Sequence, residues 1–257
     1  MNKPKINIFY DSRIMFKRCI LIAVRNPEAL VMATVTPFFL MLLFGTVFGG
    51  IADIGDYLNY IDFIVPGIVL QSVAQASQYS AINVTTDMTK GIVDRFRSMP
   101  MSRPAVLIGH TCAGIVRATI TTSVIIATAF LVGFRPQGGL TDWLIAAGVF
   151  MLVNIAFSAL AVLFGLLSKT PEASTGFMFP LFILPFLSSG FAPTETLPAA
   201  IRWFAEAQPM TPIIDSTRAL MLGMPPGNSL WVALAWCVGI IIVCLVAAAQ
   251  IFKRKLT

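Results

Sequence analysis

Long apolar runs separated by short polar breaks make up almost the whole chain. Six of them are long enough to cross hydrocarbon, over residues 29–50, 61–83, 105–133, 143–168, 173–192 and 230–252. Lipid tails offer no partner to an open backbone N–H or C=O, so each run can cross only as a helix. The pattern predicts an all-α polytopic membrane protein with six transmembrane helices in one membrane domain, residues 1–257. At 29 residues, the third run is long for a span and is expected to tilt or to begin outside the bilayer.

Two segments break the pattern. Residues 6–25, INIFYDSRIMFKRCILIAVR, carry too much charge to cross. On a helical wheel Ile8, Phe9, Met15, Phe16, Cys19, Ile20, Ile22 and Ala23 share an arc free of charge. Asp11, Arg18 and Arg25 gather opposite, Arg13 and Lys17 flank the arc, and Ile14 and Leu21 fall among the charges. This predicts, within residues 1–28, an amphipathic helix lying in the membrane interface, with Phe9 and Phe16 toward lipid and Lys17 and Arg18 toward water. Pro27 then opens the first span. In the second segment, 193–229, two short helices are expected, over 197–207 and 212–222, the latter ended by Gly223 and the Pro225-Pro226-Gly227 turn. Apolar but interrupted, they suit re-entrant elements packed on protein, or else a mobile outer loop.

Charge then orients the spans. Only 12% of the 257 residues are charged, against about 25% in a soluble domain. Fourteen of the 18 Lys and Arg residues lie at the two ends or in the links after the second and fourth spans, and three lie on the other side. Both termini are therefore expected in the cytoplasm, with the protein in the cytoplasmic (inner) membrane of a prokaryote. The net charge of +6 is explained by topology and calls for no nucleic acid. The first residues have no signal-peptide h-region or cleavage site, so they are expected to be retained. Cys19, Cys112, Cys237 and Cys244 have no metal-like spacing, and His110 is the single histidine. A histidine metal site or a Ser-His-Asp triad is thus nearly excluded within one chain.

The break after the second span reads TKGIVDRFRSMPMSRPA, residues 89–105. Lys90 to Arg97 can form two helical turns, with Ile92, Val93 and Phe96 on one side and Asp94, Arg95 and Arg97 on the other. Pro100 and Pro104 keep those turns from merging with the third span. Two readings stand: a short rigid helix that transmits movement, or positive-inside charge alone.

The string TKGIVDRFRSMPMSRPAVLIGH resembles the cytoplasmic loop of type-2 membrane permeases of ATP-binding-cassette exporters, in the daunorubicin-resistance-like branch. PFFLMLLFGTVFGG at 37–50, YIDFIVPGIVLQ at 60–71 and SSGFAPTETLPAAIRWFAEAQPMTPIIDSTRALMLG at 188–223 resemble the same family. The resemblance implies a coupling helix seated on an ATPase, here Lys90, Ile92, Val93, Asp94, Arg95, Phe96, Arg97, Ser98, Met99 and Pro100. It further implies two permease copies on two ATP-binding-cassette subunits. No GxxxxGK[ST] occurs, so this chain cannot cradle ATP phosphates by that device; the resemblance implies that ATP and Mg sit on the partner, and neither a cofactor nor enzymatic activity is expected of this chain.

Gln71, Gln75 and Gln78 fall on one face of the second span, where unsatisfied amides would be costly against lipid. They line a cavity at a dimer axis, or they hold helices together. On the fifth span Met178, Phe182, Pro185 and Phe186 form an apolar stripe that fits a flat hydrophobic compound or ordinary core packing. Arg117, one face with His110, is expected near the inner interface in a structural role. The expected function is export of an amphiphilic drug or antibiotic. The alternative is export of a polysaccharide, glycolipid or lipid by the same machinery. A proton-coupled carrier would need carboxylates within spans, and only Asp62 approaches one.

Overall fold

A computed structural model describes residues 8–25, 27–47, 59–91 and 104–255, and among them the regular elements are all helices. They are α1 (Ile8–Arg25), α2 (Pro27–Val47), α3 (Tyr60–Thr89), α4 (Pro104–Val132), α5 (Leu140–Leu167), α6 (Pro171–Ile183), α7 (Ala199–Ala207), α8 (Met210–Met221) and α9 (Gly227–Lys255). One 3-10 turn, Leu184–Leu187, continues α6, and another, Thr194–Thr196, precedes α7. Local chemistry sets several ends. The Asp142 carboxylate accepts from the Gly139 N–H at 2.9 Å to start α5. Likewise the Thr170 hydroxyl accepts from Ala173 N ahead of Pro171 to start α6.

Three of these helices are long and apolar enough to cross a membrane: Ala105–Val132, Leu140–Leu167 and Gly227–Ile251. Two shorter apolar stretches are Thr34–Val47 and Pro171–Leu187. The run at 173–192, read as one helix, is not one: α6 stops at Ile183 and helical structure ends at Leu187. Pro180 and Pro185 explain this, since each lacks an N–H and crowds the preceding turn.

The remaining long helix, α3, is the centre of the bundle. It packs against α2, α4, α5, α6 and α8, and most of its side chains are buried. Its neighbours form three layers along its length. Phe63, Ile64 and Ile68 meet Met41, Ile125, Phe134 and Phe150 near its start. Leu70 and Val73 meet Phe157, Met210 and Ile213 in the middle. Val84 meets Met15, Val106 and Leu166 near its end. Surrounded by protein, α3 tolerates more polar residues than a lipid-facing helix would. It also continues past residue 83, where the apolar run ends, to Thr89.

The orientation of α1 differs from the helical-wheel expectation. Asp11, Met15 and Cys19, spaced four apart, are its buried stripe, and α1 packs chiefly on α4. The charged side is therefore turned partly onto protein. Phe9, 85% exposed, stands outward with Tyr10, Ile14 and Leu21. Gly109 allows the contact: a Cβ there would lie 2.5 Å from Met15 Cβ and 3.0 Å from the Met15 carbonyl carbon. Gly109→Val should accordingly lift α1 from α4 at a cost of about 1–3 kcal/mol. Faster proteolysis within residues 8–25 and a lower melting temperature in detergent would show it. Gly148→Ala, with nothing within 4 Å of the added carbon, should leave both unchanged or slightly improved.

Candidate functional site

Three helices meet where α3 ends. Arg18 of α1 donates from Nη1 and Nη2 to the two carboxylate oxygens of Asp87, at 2.5 and 2.9 Å. His110, in the second turn of α4, places Nε2 3.1 Å from Asp87 Oδ2 and Nδ1 3.6 Å from Cys19 Sγ. Burial pushes the Asp87 carboxyl up, but hydrogen bonds from Arg18 and then His110 outweigh it and hold the group at about 2, below its ordinary 3.8. The bond to Asp87 in turn raises the Arg18 guanidinium pKa against the effect of burial. One carboxylate thus ties α1, α3 and α4 with charge-assisted bonds. Sequence reasoning passed over Asp87, and the available signal was a lone acid just beyond an apolar run. His110 and Arg117, seven residues apart on α4, both line one cavity beside this three-helix tie.

Lys90 caps α3 instead of opening a new helix, and Gly91 turns the chain with φ +65°. The other expected coupling residues, Ile92, Val93, Asp94, Arg95, Phe96, Arg97, Ser98, Met99 and Pro100, lie outside the described residues. Arg18 and Phe16 are half-buried and Lys17 is exposed. The link from 92 to 103 therefore joins two helices that Asp87 and His110 fasten to each other.

The three glutamines of α3 do not share one environment. Gln71 is 0% exposed, and neither of its amide atoms has a hydrogen-bond partner among the described residues. Gln75 and Gln78 are half-buried, with Gln75 Oε1 unpaired. On the neighbouring α6 and its 3-10 turn, Phe182 stacks with Phe179 at 6.4 Å and meets Phe186 edge-on at 6.1 Å. Phe186 stacks on Phe191 at 4.6 Å, so it belongs to an aromatic cluster within the protein.

At the opposite end of α3 a second guanidinium is buried. Arg218 of α8, 3% exposed, donates from Nε to the Phe63 carbonyl at 2.9 Å, from Nη1 to Asp215 Oδ1 at 2.9 Å, and from Nη2 to the Ser189 carbonyl. It also stands 3.8 Å over the Phe63 ring. Ser189 Oγ donates to the same Asp215 oxygen at 2.6 Å, and Asp62 Oδ1 accepts from the Arg135 N–H at 2.9 Å. The charge count treats Arg218 as an outer-loop cation, whereas the fold encloses it. Its only signal in the sequence is an acid three residues earlier on an apolar helix.

Apolar helices facing outward around a polar, protein-enclosed helix define an integral membrane protein. The chain belongs to the ABC-2 type transporter family, whose family model matches residues 10–222, and it is a membrane transport subunit. It is 29% identical over 231 residues to the daunorubicin resistance ABC transporter permease protein DrrB1 of Streptomyces coeruleorubidus, covering 89% of this chain and 81% of the relative. It is 28% identical over 225 residues to the probable doxorubicin resistance ABC transporter permease protein DrrC of Mycobacterium tuberculosis, covering 88% and 82%. The inner membrane transport permease YadH of Escherichia coli is 25% identical over 224 residues, 84% of each chain.

Removing the Asp87 charge leaves Arg18 without its carboxylate. Asp87→Asn should cost about 3 kcal/mol, the lower range for breaking a buried pair, read as a drop in melting temperature in detergent. Arg18→Met with Asp87→Leu should recover much of it, because no uncompensated charge remains between those two positions. Since folding lowers the Asp87 pKa, its contribution is complete above about pH 4 and is lost as pH falls through about 2. The melting temperature in detergent should therefore fall as pH drops from about 4 to about 2, and the Asp87→Leu, Arg18→Met double variant should lose that acid dependence.

Proposed function

We propose that this chain is the membrane-spanning subunit of an ATP-binding-cassette exporter that moves an amphiphilic or hydrophobic drug-like compound out of the cell. The observation that carries the reading is the family match over residues 10–222, joined to relatives named for daunorubicin and doxorubicin resistance. Six spans are α2, α3, α4, α5, α6 with its 3-10 turn, and α9. The short helices α7 and α8 form the re-entrant outer region between the last two. The excess of Lys and Arg at the two ends and in the links after the second and fourth spans supports both termini and α1 at the cytoplasmic face of the inner membrane. Two copies of the chain pair with two ATPase subunits, which hold the ATP and Mg.

In this reading the ATPases push on residues 89–101 as they close. The push reaches α3 and α4 directly, and Asp87 carries α1 with them through Arg18. A rigid connection matters here, because a link that yields would absorb the stroke. Gln75 and Gln78 on α3, with Phe182 on α6, are the residues proposed to meet the compound at the dimer axis, with Gln71 and Phe186 behind them.

Arg95→Glu or Phe96→Ala should reduce substrate-stimulated ATP hydrolysis of the assembled complex by about tenfold while the permease still inserts and assembles. Unchanged coupling would remove the contact assignment. Gln75→Ala should alter the spectrum of compounds to which cells expressing the complex are resistant, leaving basal ATP hydrolysis intact. An unchanged spectrum would take Gln75 out of the pathway.

A further inference from the structure

A cavity of about 190 Å3 lies between α1, α3 and α4, next to the Asp87 strap. Lys90, Asn83 and Ser80 mark its α3 wall, Arg18 its α1 wall and Arg117 its α4 wall. Arg117 is only 5% exposed, and its Nε and Nη1 are buried with no hydrogen-bond partner among the described residues. Two guanidinium nitrogens in that state are expensive, because they have left water without gaining a hydrogen bond in exchange. Asp87, the one carboxylate lining the cavity among the described residues, is already engaged by Arg18 and His110. Among the described residues the cavity thus has cationic walls, an unused set of donors on Arg117 and no carboxylate left free to meet them.

Its depth narrows the choice of anion. Hydrocarbon about 30 Å thick takes about 20 helical residues. Counted along α3 from Tyr60, that length ends near Ser80; counted back along α4 from Val132, it ends near Ala113. Arg117 therefore stands within about one turn of the inner hydrocarbon boundary, a level where arginine reaches toward lipid phosphates. Size points the same way. Drug-sized ligands occupy cavities of about 300–1,000 Å3, well above this one, so the cargo is excluded and a phosphate group with part of its glycerol is not.

We propose that this cavity is a phosphate-binding site, filled by the headgroup of an anionic phospholipid of the cytoplasmic leaflet. Arg117 holds the phosphate through its free donors, Asn83 and Ser80 add hydrogen bonds, and Lys90 attracts the headgroup at the lip. The occupant braces the same three helices that Asp87 ties, so lipid charge tunes how firmly α1 follows α3 and α4. The assignment rests on the membrane topology of the proposed function, but not on the nature of the cargo.

Native mass spectrometry of the purified full chain in detergent, titrated with dioctanoylphosphatidylglycerol, tests it without ATPase or drug. Wild type should bind this lipid and not dioctanoylglycerol, which has the same tails and no phosphate. Arg117→Gln should weaken binding about tenfold, while Arg13→Gln, which removes an exposed charge from α1, should change it less than about twofold. Asn83→Phe, which fills the cavity from the half-exposed side of α3, should reproduce the loss with the guanidinium intact, so an unstable Arg117 variant leaves the test standing. Glycerol 3-phosphate competing at equal affinity would support the phosphate site and assign it to a soluble ligand in place of lipid. Equal losses in the Arg117 and Arg13 variants, or none in Arg117→Gln and Asn83→Phe, would overturn the site. Intact lipid binding with no drug export would count against the proposed cargo alone.

Discussion

The carboxylate of Asp87 takes hydrogen bonds from two other helices at once, and the end of the bundle is arranged around it. Without Arg18 and His110, a carboxylate buried there would favour its neutral form, and three helix ends would lose their common anchor. With them it stays ionised far below neutral pH. The cost of enclosing the charge is offset by two-pronged geometry on one oxygen pair, which ordinary apolar packing would not direct so narrowly. Met15 on Gly109 supplies the close approach that lets Arg18 reach it.

A buried arginine also fastens the other end of α3. There Arg218 bonds to the Phe63 carbonyl and rests on its ring, while Asp215 and Ser189 complete the network. Polar fastening at both ends, with apolar layers between, makes α3 a stiff rod inside a shell of more apolar helices. A rod of this kind passes on a displacement applied at one end with little loss, which is what the proposed export cycle requires of it. The unpaired amide of Gln71 lies in its middle layer, the one polar side chain of the three glutamines fully enclosed by its own protomer.

Much of the helical plan was legible in the chain because hydrocarbon imposes a simple rule on composition and length. Thus 105–133 became α4 and 230–252 lies within α9. Legibility failed where the rule stopped applying. α3 extends to Thr89 because its last turns are covered by α1 and α5, so polar residues there say nothing about where it ends. Lys90 looked like the first residue of a new helix, yet Gly91, with its left-handed backbone, makes it a cap. On α1, Phe9 stayed outward as its pattern implied, but Asp11 is buried with Met15 and Cys19, and Arg18 turned toward protein because a partner distant in sequence awaited it.

By itself, then, the sequence determined a helical membrane protein, the approximate position of its long helices and their charge asymmetry, since each depends on local composition against lipid and water. Tertiary structure alone decided which charges are enclosed and by what. Arg18 lies 69 residues from Asp87, and Arg218 lies 155 from the carbonyl it holds. No local pattern encodes such pairs, because they exist only once packing has removed water from both partners and left each as the other's best remaining solvent.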